Sequence, residues 1–309
     1  MGAACTAAPN AFTRLIQFVS TSKTQLTELV NSIFYTGLYA TLALGLTLVF
    51  GVMRLVNLAH GDLIIAGGYL GVFFGVNLGL DPLVALLLIV PVMMALTYPI
   101  QRGLLNPLLA VGEEPPLVAT FGISLVIETV LQIGYSSNAQ SLNPSYGVTG
   151  IDILGTNVRV IFVIALVIGV ILVLATHFAL TRLRVGKALR AASEDAEAAA
   201  SLGINVKHIY ALTFAVAAGL SAFAGIELGV AFSLTPTAGL SWLLIAFTVI
   251  VLGGMGSVLG TLVGGFAVAL AQEYGSLAFG PQYQDLIVFG LLVVVLVIRP
   301  NGIFGRRLG

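Results

Sequence analysis

The sequence predicts an all-α polytopic membrane protein: a bundle of about 8–9 transmembrane helices, with one short helix lying outside the bilayer. Three observations lead there. Only 8% of the 309 residues are charged, while 58% are hydrophobic before glycine is counted; a soluble domain carries roughly 25% charged residues. Apolar runs recur along the chain at about 20 residues, the length that crosses a hydrocarbon core of about 30 Å. Lysine and arginine fall in alternate loops, ten to one side and three to the other. The composition excludes a soluble enzyme and a disordered chain. With a formal net charge of zero, it also lacks the basic excess of a nucleic-acid binder.

The apolar runs place spans at 27–52, 61–76, 82–101, 115–135, 158–181, 208–232, 241–279 and 283–298. As a single helix, 241–279 would be about 58 Å long at 1.5 Å per residue, well beyond the hydrocarbon thickness. Gly253, Gly254 and Gly256 sit in its middle, and a helix breaks most cheaply where glycine costs about 1 kcal/mol per residue. The run therefore divides into arms at 241–255 and 257–275, the first either crossing or re-entrant. About nine passes result; eight would require one span to be false, and the short 61–76 is the weakest.

The ten basic residues on one side are Arg54, Arg102, Arg182, Arg184, Lys187, Arg190, Lys207, Arg299, Arg306 and Arg307. The excess of positive charge marks the cytoplasmic side, so the N-terminus lies outside and the C-terminus in the cytoplasm. Residues 1–26 form an external N-terminal extension, 27–305 one membrane domain, and 306–309 a cytoplasmic tail. The loop 136–157 is polar and external. The loop 182–207 is cytoplasmic and alanine-rich, and Gly203 is a natural helix stop; it reads as a single short interfacial helix.

Glycines and a serine recur at every fourth position: Gly67, Gly71, Gly75 and Gly79; Gly256, Gly260 and Gly264; Ser221, Gly225 and Gly229. Small residues at this spacing let helices approach closely in lipid, and packing within the bundle is the simpler reading. The lone Cys5 excludes an intrachain disulfide, and the three histidines are too scattered for a zinc site. The opening Met-Gly-Ala-Ala-Cys-Thr fits a myristoylation pattern but reads as an ordinary chain start. Gly186-Lys187 lacks the preceding glycine of a phosphate-binding loop.

Few residues within the spans can carry chemistry. Glu128 lies mid-span, where a carboxylate costs about 2.5–3.5 kcal/mol; it is part of a solvated pathway or a protonated tie between helices. Glu227 can reach the interface from its helix end, and Glu273 and Asp285 lie near span ends where exposure is expected. Asn57, His60 and Asp62 crowd a polar break between two apolar runs. Asp62 or Asn57 capping the next helix is the simpler reading; a polar helix break beside a substrate path is the other. Gly253, Gly254 and Gly256 form a second candidate break.

Four stretches then carry a family resemblance. Phe50-Gly51-Val52-Met53-Arg54-Leu55-Val56-Asn57-Leu58-Ala59-His60-Gly61-Asp62 resembles a signature near the start of branched-chain amino acid ABC-transporter permeases of the LivH type. The run Gly186-Lys187-Ala188-Leu189-Arg190-Ala191, with Glu194-Asp195 and Leu202-Gly203-Ile204-Asn205, is similar to theirs. So are Leu252-Gly253-Gly254-Met255-Gly256-Ser257 and Arg299-Pro300-Asn301-Gly302-Ile303-Phe304-Gly305. Order and spacing match from about Leu29 to Gly305, leaving the N-terminal stretch uncovered. Glu197-Ala198-Ala199 followed by Gly203 echoes, incompletely, the coupling motif of importer permeases at large.

The resemblance implies an inner-membrane subunit of an ABC importer in a bacterial cell. It would form half of a translocation pathway for branched-chain amino acids or a related small solute. The implied partners are a second, LivM-like permease, a pair of cytoplasmic ATPases that bind the ATP, and a periplasmic substrate-binding protein. Membrane lipid is a further expected partner; no cofactor, enzyme activity or nucleic-acid partner is expected on this chain. The short cytoplasmic helix becomes a coupling helix, with Gly186, Arg190, Asp195, Glu197, Ala198, Ala199 and Gly203 as candidate contacts to an ATPase. The same machine carries urea, short amides or aromatic acids in related systems. A stand-alone secondary transporter or channel is the alternative of another class. A coupled carrier usually needs paired intramembrane charges, where this chain offers mainly Glu128.

Overall fold

The computed structural model describes residues 11–112 and 114–298, for residues 11–22 in backbone only. Cys5, the N-terminal Met-Gly motif, the 299–305 motif and the tail 306–309 lie outside the described residues. Among the described residues, nine helices are long and apolar enough to cross a membrane. The chain is a multi-pass membrane protein, and the 61–76 span is a true helix.

The first helix, α1, runs Ala11–Met53. It starts well before residue 27 because no glycine or proline interrupts 11–36. At about 64 Å it is twice the hydrocarbon thickness. It stops at Arg54, whose φ is 52°. Then α2 spans His60–Leu78 and ends on Gly79 in the left-handed conformation, as glycine allows. Helix α3, Pro82–Ile100, begins with Asp81 accepting from the Leu83 amide at 2.9 Å and Pro82 in the first turn. It continues through a π-helical turn, Gln101–Leu105, into the short α4, Asn106–Leu109.

Helix α5 spans Glu114–Tyr135. The following loop holds a single-turn α6, Ser145–Val148, and a hairpin of β1, Gly150–Ile153, and β2, Thr156–Arg159. The hairpin turns on Leu154 and Gly155, both at positive φ, the geometry that matches strand twist. The polar composition of this loop did not disclose the hairpin.

Helix α7, Val160–Arg182, leads into α8, Arg184–Glu194, and α9, Ala196–Ser201. The single interfacial helix expected from the sequence is therefore two. Asp195 adopts extended backbone and its Oδ1 accepts from the amides of Glu197 and Ala198 at 3.0 and 2.9 Å, ending one helix and capping the next. Gly203 closes α9 as expected: its φ is 86°, its N–H donates to Ala200 O, and the Ile204 N–H donates to Ala199 O. That pair of bonds is the Schellman arrangement.

Helix α10 spans Val206–Ala231, α11 Gly239–Gly253, α12 Gly260–Phe279 and α13 Gln284–Ile298. The core is built on α1 and α10, whose apolar stretches are each 78% buried, against 6% for α5 and α13 at the periphery. Glycine makes the packing possible. A Cβ added at Gly225 would collide with the α2 backbone at Ile64, at Gly264 with Val249 O of α11, and at Gly67 with Ala222 of α10. All three small-residue stripes thus pack within the chain, although Gly75 and Gly79, at the end of the first, have no close neighbour.

Two helices begin partway through the bundle. The His60 ring hydrogen-bonds Leu42 O in α1 at 2.9 Å. Leu42 lies eleven residues before the end of α1 at Met53, about 16 Å along the axis. Residues 54–59 therefore fold back along α1, and α2 starts inside. Helix α11 starts beside it: a Cβ on Gly61 would collide with Gly239 O. At its other end the Gly256 backbone packs on Gly51, near the end of α1. With 15 residues, about 22 Å, α11 is shorter than the hydrocarbon core. The chain reaches its start through non-helical residues 232–235 and a 3-10 turn, Pro236–Ala238. Leu234 exchanges backbone hydrogen bonds with Gln140 at 2.7 and 2.9 Å, and its carbonyl also accepts from the Tyr69 hydroxyl at 3.1 Å. Irregular backbone at membrane depth requires such partners.

Candidate functional site

The helix starts of α2 and α11 meet at Asp62. Its carboxylate is 3% exposed and accepts from the Ser124 hydroxyl of α5 through Oδ2; on the other side it abuts Gly239, the first residue of α11. A carboxylate in the first turn of one helix and against the start of another lies at two positive dipole ends. That arrangement offsets part of the cost of burying a charge.

Side-chain capping of α2, the simpler reading of this segment, is not what the structure shows. The N-cap is Ala59 and makes no side-chain bond. Asn57 Oδ1 accepts from the Ala59 amide at 3.1 Å, shaping the turn before the helix. Asp62 instead turns to α5, because α2 starts buried against neighbours that offer partners. His60 is fully buried, its Nε2 on Leu42 O and its Nδ1 3.4 Å from the Ser221 hydroxyl of α10. Gly45 leaves room for that ring: a Cβ there would stand 2.9 Å from His60 Cε1. Histidine and asparagine thus fix where α2 begins, and Asp62 faces the periphery.

Ser124 belongs to a line that the sequence analysis missed. Thr120, Ser124, Glu128 and Gln132 recur at every fourth residue of α5, one face of a helix. Thr120 Oγ1 accepts from the Leu58 amide at 3.2 Å, and Gln132 Nε2 donates to Glu128 Oε1 at 2.9 Å. Tyr135 continues the line, its ring 4.8 Å from that of Tyr69 on α2. The rest of α5 exposes Leu117, Val118, Phe121, Leu125, Val126, Val130 and Ile133. The spacing was visible in the sequence, but Thr and Ser are unremarkable within apolar helices until their partners are known. Glu128 is half-buried and, among the described residues, its hydrogen bond is to Gln132 of its own helix.

The remaining acidic residues lie elsewhere. Glu227, expected to reach the interface, is interior: it is 1% exposed beside Thr41, and neither carboxylate oxygen has a hydrogen-bond partner among the described residues. The α10 turn that carries it packs between α1 and α2, which closes the route outward. Glu273 is half-buried rather than exposed, 3.5 Å from the Asn31 amide of α1; Asp285 is exposed.

The other candidate residues are not brought to this line. Gly253, Gly254 and Gly256 form the turn at the far end of α11, with Gly254 at φ 95° and Gly256 at φ 81°. They are one helix length away from Asp62. Gly186, Arg190, Asp195, Glu197, Ala198, Ala199 and Gly203 lie on α8, α9 and the turn after them. Gly186 seats α8 beneath α7, where a Cβ would collide with Ala179 O. Arg190 donates to Thr181 O at 3.1 Å. Ala199 is buried, whereas Asp195, Glu197, Ala198 and Gly203 are exposed and form a free face.

The BraD permease protein of a high-affinity branched-chain amino acid transport system in Pseudomonas aeruginosa is 32% identical over 91% of this chain and 96% of its own length. The LivH permease protein of the corresponding system in Salmonella typhimurium is 29% identical, with the same coverage. More distantly, the ribose import permease RbsC of Haemophilus influenzae is 26% identical over 91% of this chain and 87% of its own. No solved structure gives a significant match. The model of the branched-chain amino acid transport system permease component matches residues 28–296, almost the whole described bundle, and the chain belongs to that family.

Proposed function

We propose that this permease forms one half of the translocation pathway of an ATP-driven importer in the bacterial inner membrane, and that its cargo is a branched-chain aliphatic amino acid. The observation that carries the reading is the polar line of α5. Thr120, Ser124 with Asp62, Glu128 and Gln132 run the length of a helix whose other faces expose apolar side chains. The line turns toward α2, and a second, LivM-like permease covers the exposed apolar faces of α5. A solute with an ammonium group, a carboxylate and an aliphatic tail suits the boundary between such a line and its apolar flanks.

The exposed face of α8 and α9 docks a cytoplasmic ATPase, one of a pair that bind ATP for the complex; this chain carries no cofactor of its own. That places the α8–α9 end and the C-terminus in the cytoplasm, the 136–157 loop and the N-terminus outside, and a periplasmic binding protein on the outer face. A second reading keeps the machine and changes the cargo to urea, a short amide or an aromatic acid. The similarity to a ribose import permease supports keeping it, since related chains are named for unlike solutes.

The test is purification with native partners and reconstitution in vesicles. ATPases should copurify, uptake should require ATP, and unlabelled leucine should compete with labelled leucine better than urea or benzoate does. Uptake without ATP would overturn the importer reading; competition by urea or benzoate alone would overturn the cargo.

A further inference from the structure

A cavity of about 610 Å³ opens at the α8 end of the bundle, between the end of α1, the end of α7, α8 and the α11–α12 turn. It lies away from the Asp62 line and plays no part in the pathway proposed above. Part of its lining is apolar, including Leu48, Leu180, Leu189 and Val258. The lining also carries Arg54, Arg190 and His177, with Thr181, Ser193 and Ser257; Glu194 is the one carboxylate among the lining residues. Neither guanidinium is paired with a carboxylate among the described residues. The Arg190 guanidinium is held at the wall by its bond to Thr181 O. Thr47 borders the cavity but is 1% exposed; its hydroxyl, without a hydrogen-bond partner among the described residues, is closed off from the cavity and takes no part in the site.

We propose that this cavity binds an anionic phospholipid, with its phosphate on Arg54 and Arg190 and its acyl chains along the apolar lining. The chemistry is specific in two ways. Two unpaired guanidiniums call for an anion with several acceptor oxygens, which phosphate supplies. Apolar lining in the same cavity calls for an amphiphile rather than a free ion. Basic pockets between transmembrane helices at the charged end of a bundle suit lipid headgroups. A bound lipid would tie α8 to the α11–α12 turn, two elements otherwise separated by the cavity.

The experiment is native mass spectrometry of the full chain after delipidation in detergent, with phosphatidylglycerol, phosphatidylcholine or inorganic phosphate added back. Phosphatidylglycerol should be retained in preference to phosphatidylcholine. Arg54→Gln and Arg190→Gln should each weaken retention by about tenfold or more, the scale of one lost hydrogen bond to a charged group. Arg102→Gln, whose guanidinium bonds Tyr98 outside the cavity, should change nothing. Arg54→Lys and Arg190→Lys keep the charge and the apolar stem, so they report on the site even where a glutamine variant fails to fold; without the forked donor they should also weaken retention. Equal retention of both lipids, or full retention in all four variants of Arg54 and Arg190, would overturn the proposal. Binding of inorganic phosphate with no retention of phosphatidylglycerol would overturn the lipid as its source.

Discussion

Replacing Gly239 with alanine tests the meeting of α2 and α11 directly. The added Cβ would collide with the Asp62 carboxylate and lie 3.1 Å from the Asp62 amide nitrogen. To relieve both contacts α11 must back away from α2 and Asp62 must turn aside, giving up the Ser124 hydrogen bond. Overpacking of this kind costs about 1–3 kcal/mol, and a lost hydrogen bond to a buried charged group about 1.5–3 kcal/mol. Gly239→Ala should therefore destabilise the protein by about 3–5 kcal/mol. In an Asp62→Ala background the carboxylate is gone and only the amide contact remains, which a small shift relieves. The same Gly239→Ala change should then cost about 1 kcal/mol, the low end for overpacking. A double-mutant cycle, followed by SDS-titrated unfolding in mixed micelles, should show a coupling of about 2 kcal/mol or more. Additive costs, within about 0.5 kcal/mol, would refute the idea that the two helix starts are locked through Asp62.

Three further outcomes are expected. Glu128→Gln should lower uptake of labelled leucine at unchanged expression, because the half-buried carboxylate sits on the polar line of α5; normal uptake would remove it from the pathway. Gly203→Trp should insert and assemble but uncouple ATP hydrolysis from uptake. A side chain at φ 86° costs about 1–2 kcal/mol and fills the open space beyond α9; a variant that transports at the normal rate would sink the docking role. In a Cys5→Ala background, Ser193→Cys should be labelled only from the cytoplasm and Ser137→Cys only from outside; external labelling of Ser193→Cys in intact cells would reverse the orientation.

What could be read in advance follows a physical line. Span positions depend on local apolar content, which the bilayer sets, so runs such as 82–101 and 158–181 reappear as α3 and α7 within a few residues. Breaks that depend on backbone freedom were also legible: Gly254, Gly256 and Gly203 adopt conformations open mainly to glycine. Features set by distant partners were not. Asp195 divides one predicted helix because its side chain can reach the next two amides, a competition that alanine content conceals. Glu227 became interior, and Asp62 became a cross-helix acceptor, through packing with residues far along the chain. The polar line of α5 had a visible period, but its meaning depends on α2 starting at the level of Leu42, which no local pattern records.

The tether between Leu234 and Gln140 bears on how the chain is made. The backbone before helix α11 is not helical, and irregular backbone does not enter lipid unaided. Its entry segment is satisfied by Gln140 and Tyr69, both synthesised long before Leu234 emerges. Those partners are already present in the chain when the segment arrives, so α11 settles by docking its entry segment on them rather than by partitioning into lipid alone. Lesions in the loop around Gln140 should consequently appear as failures of late insertion, with the chain stalled after α10, rather than as a transport defect in a finished protein.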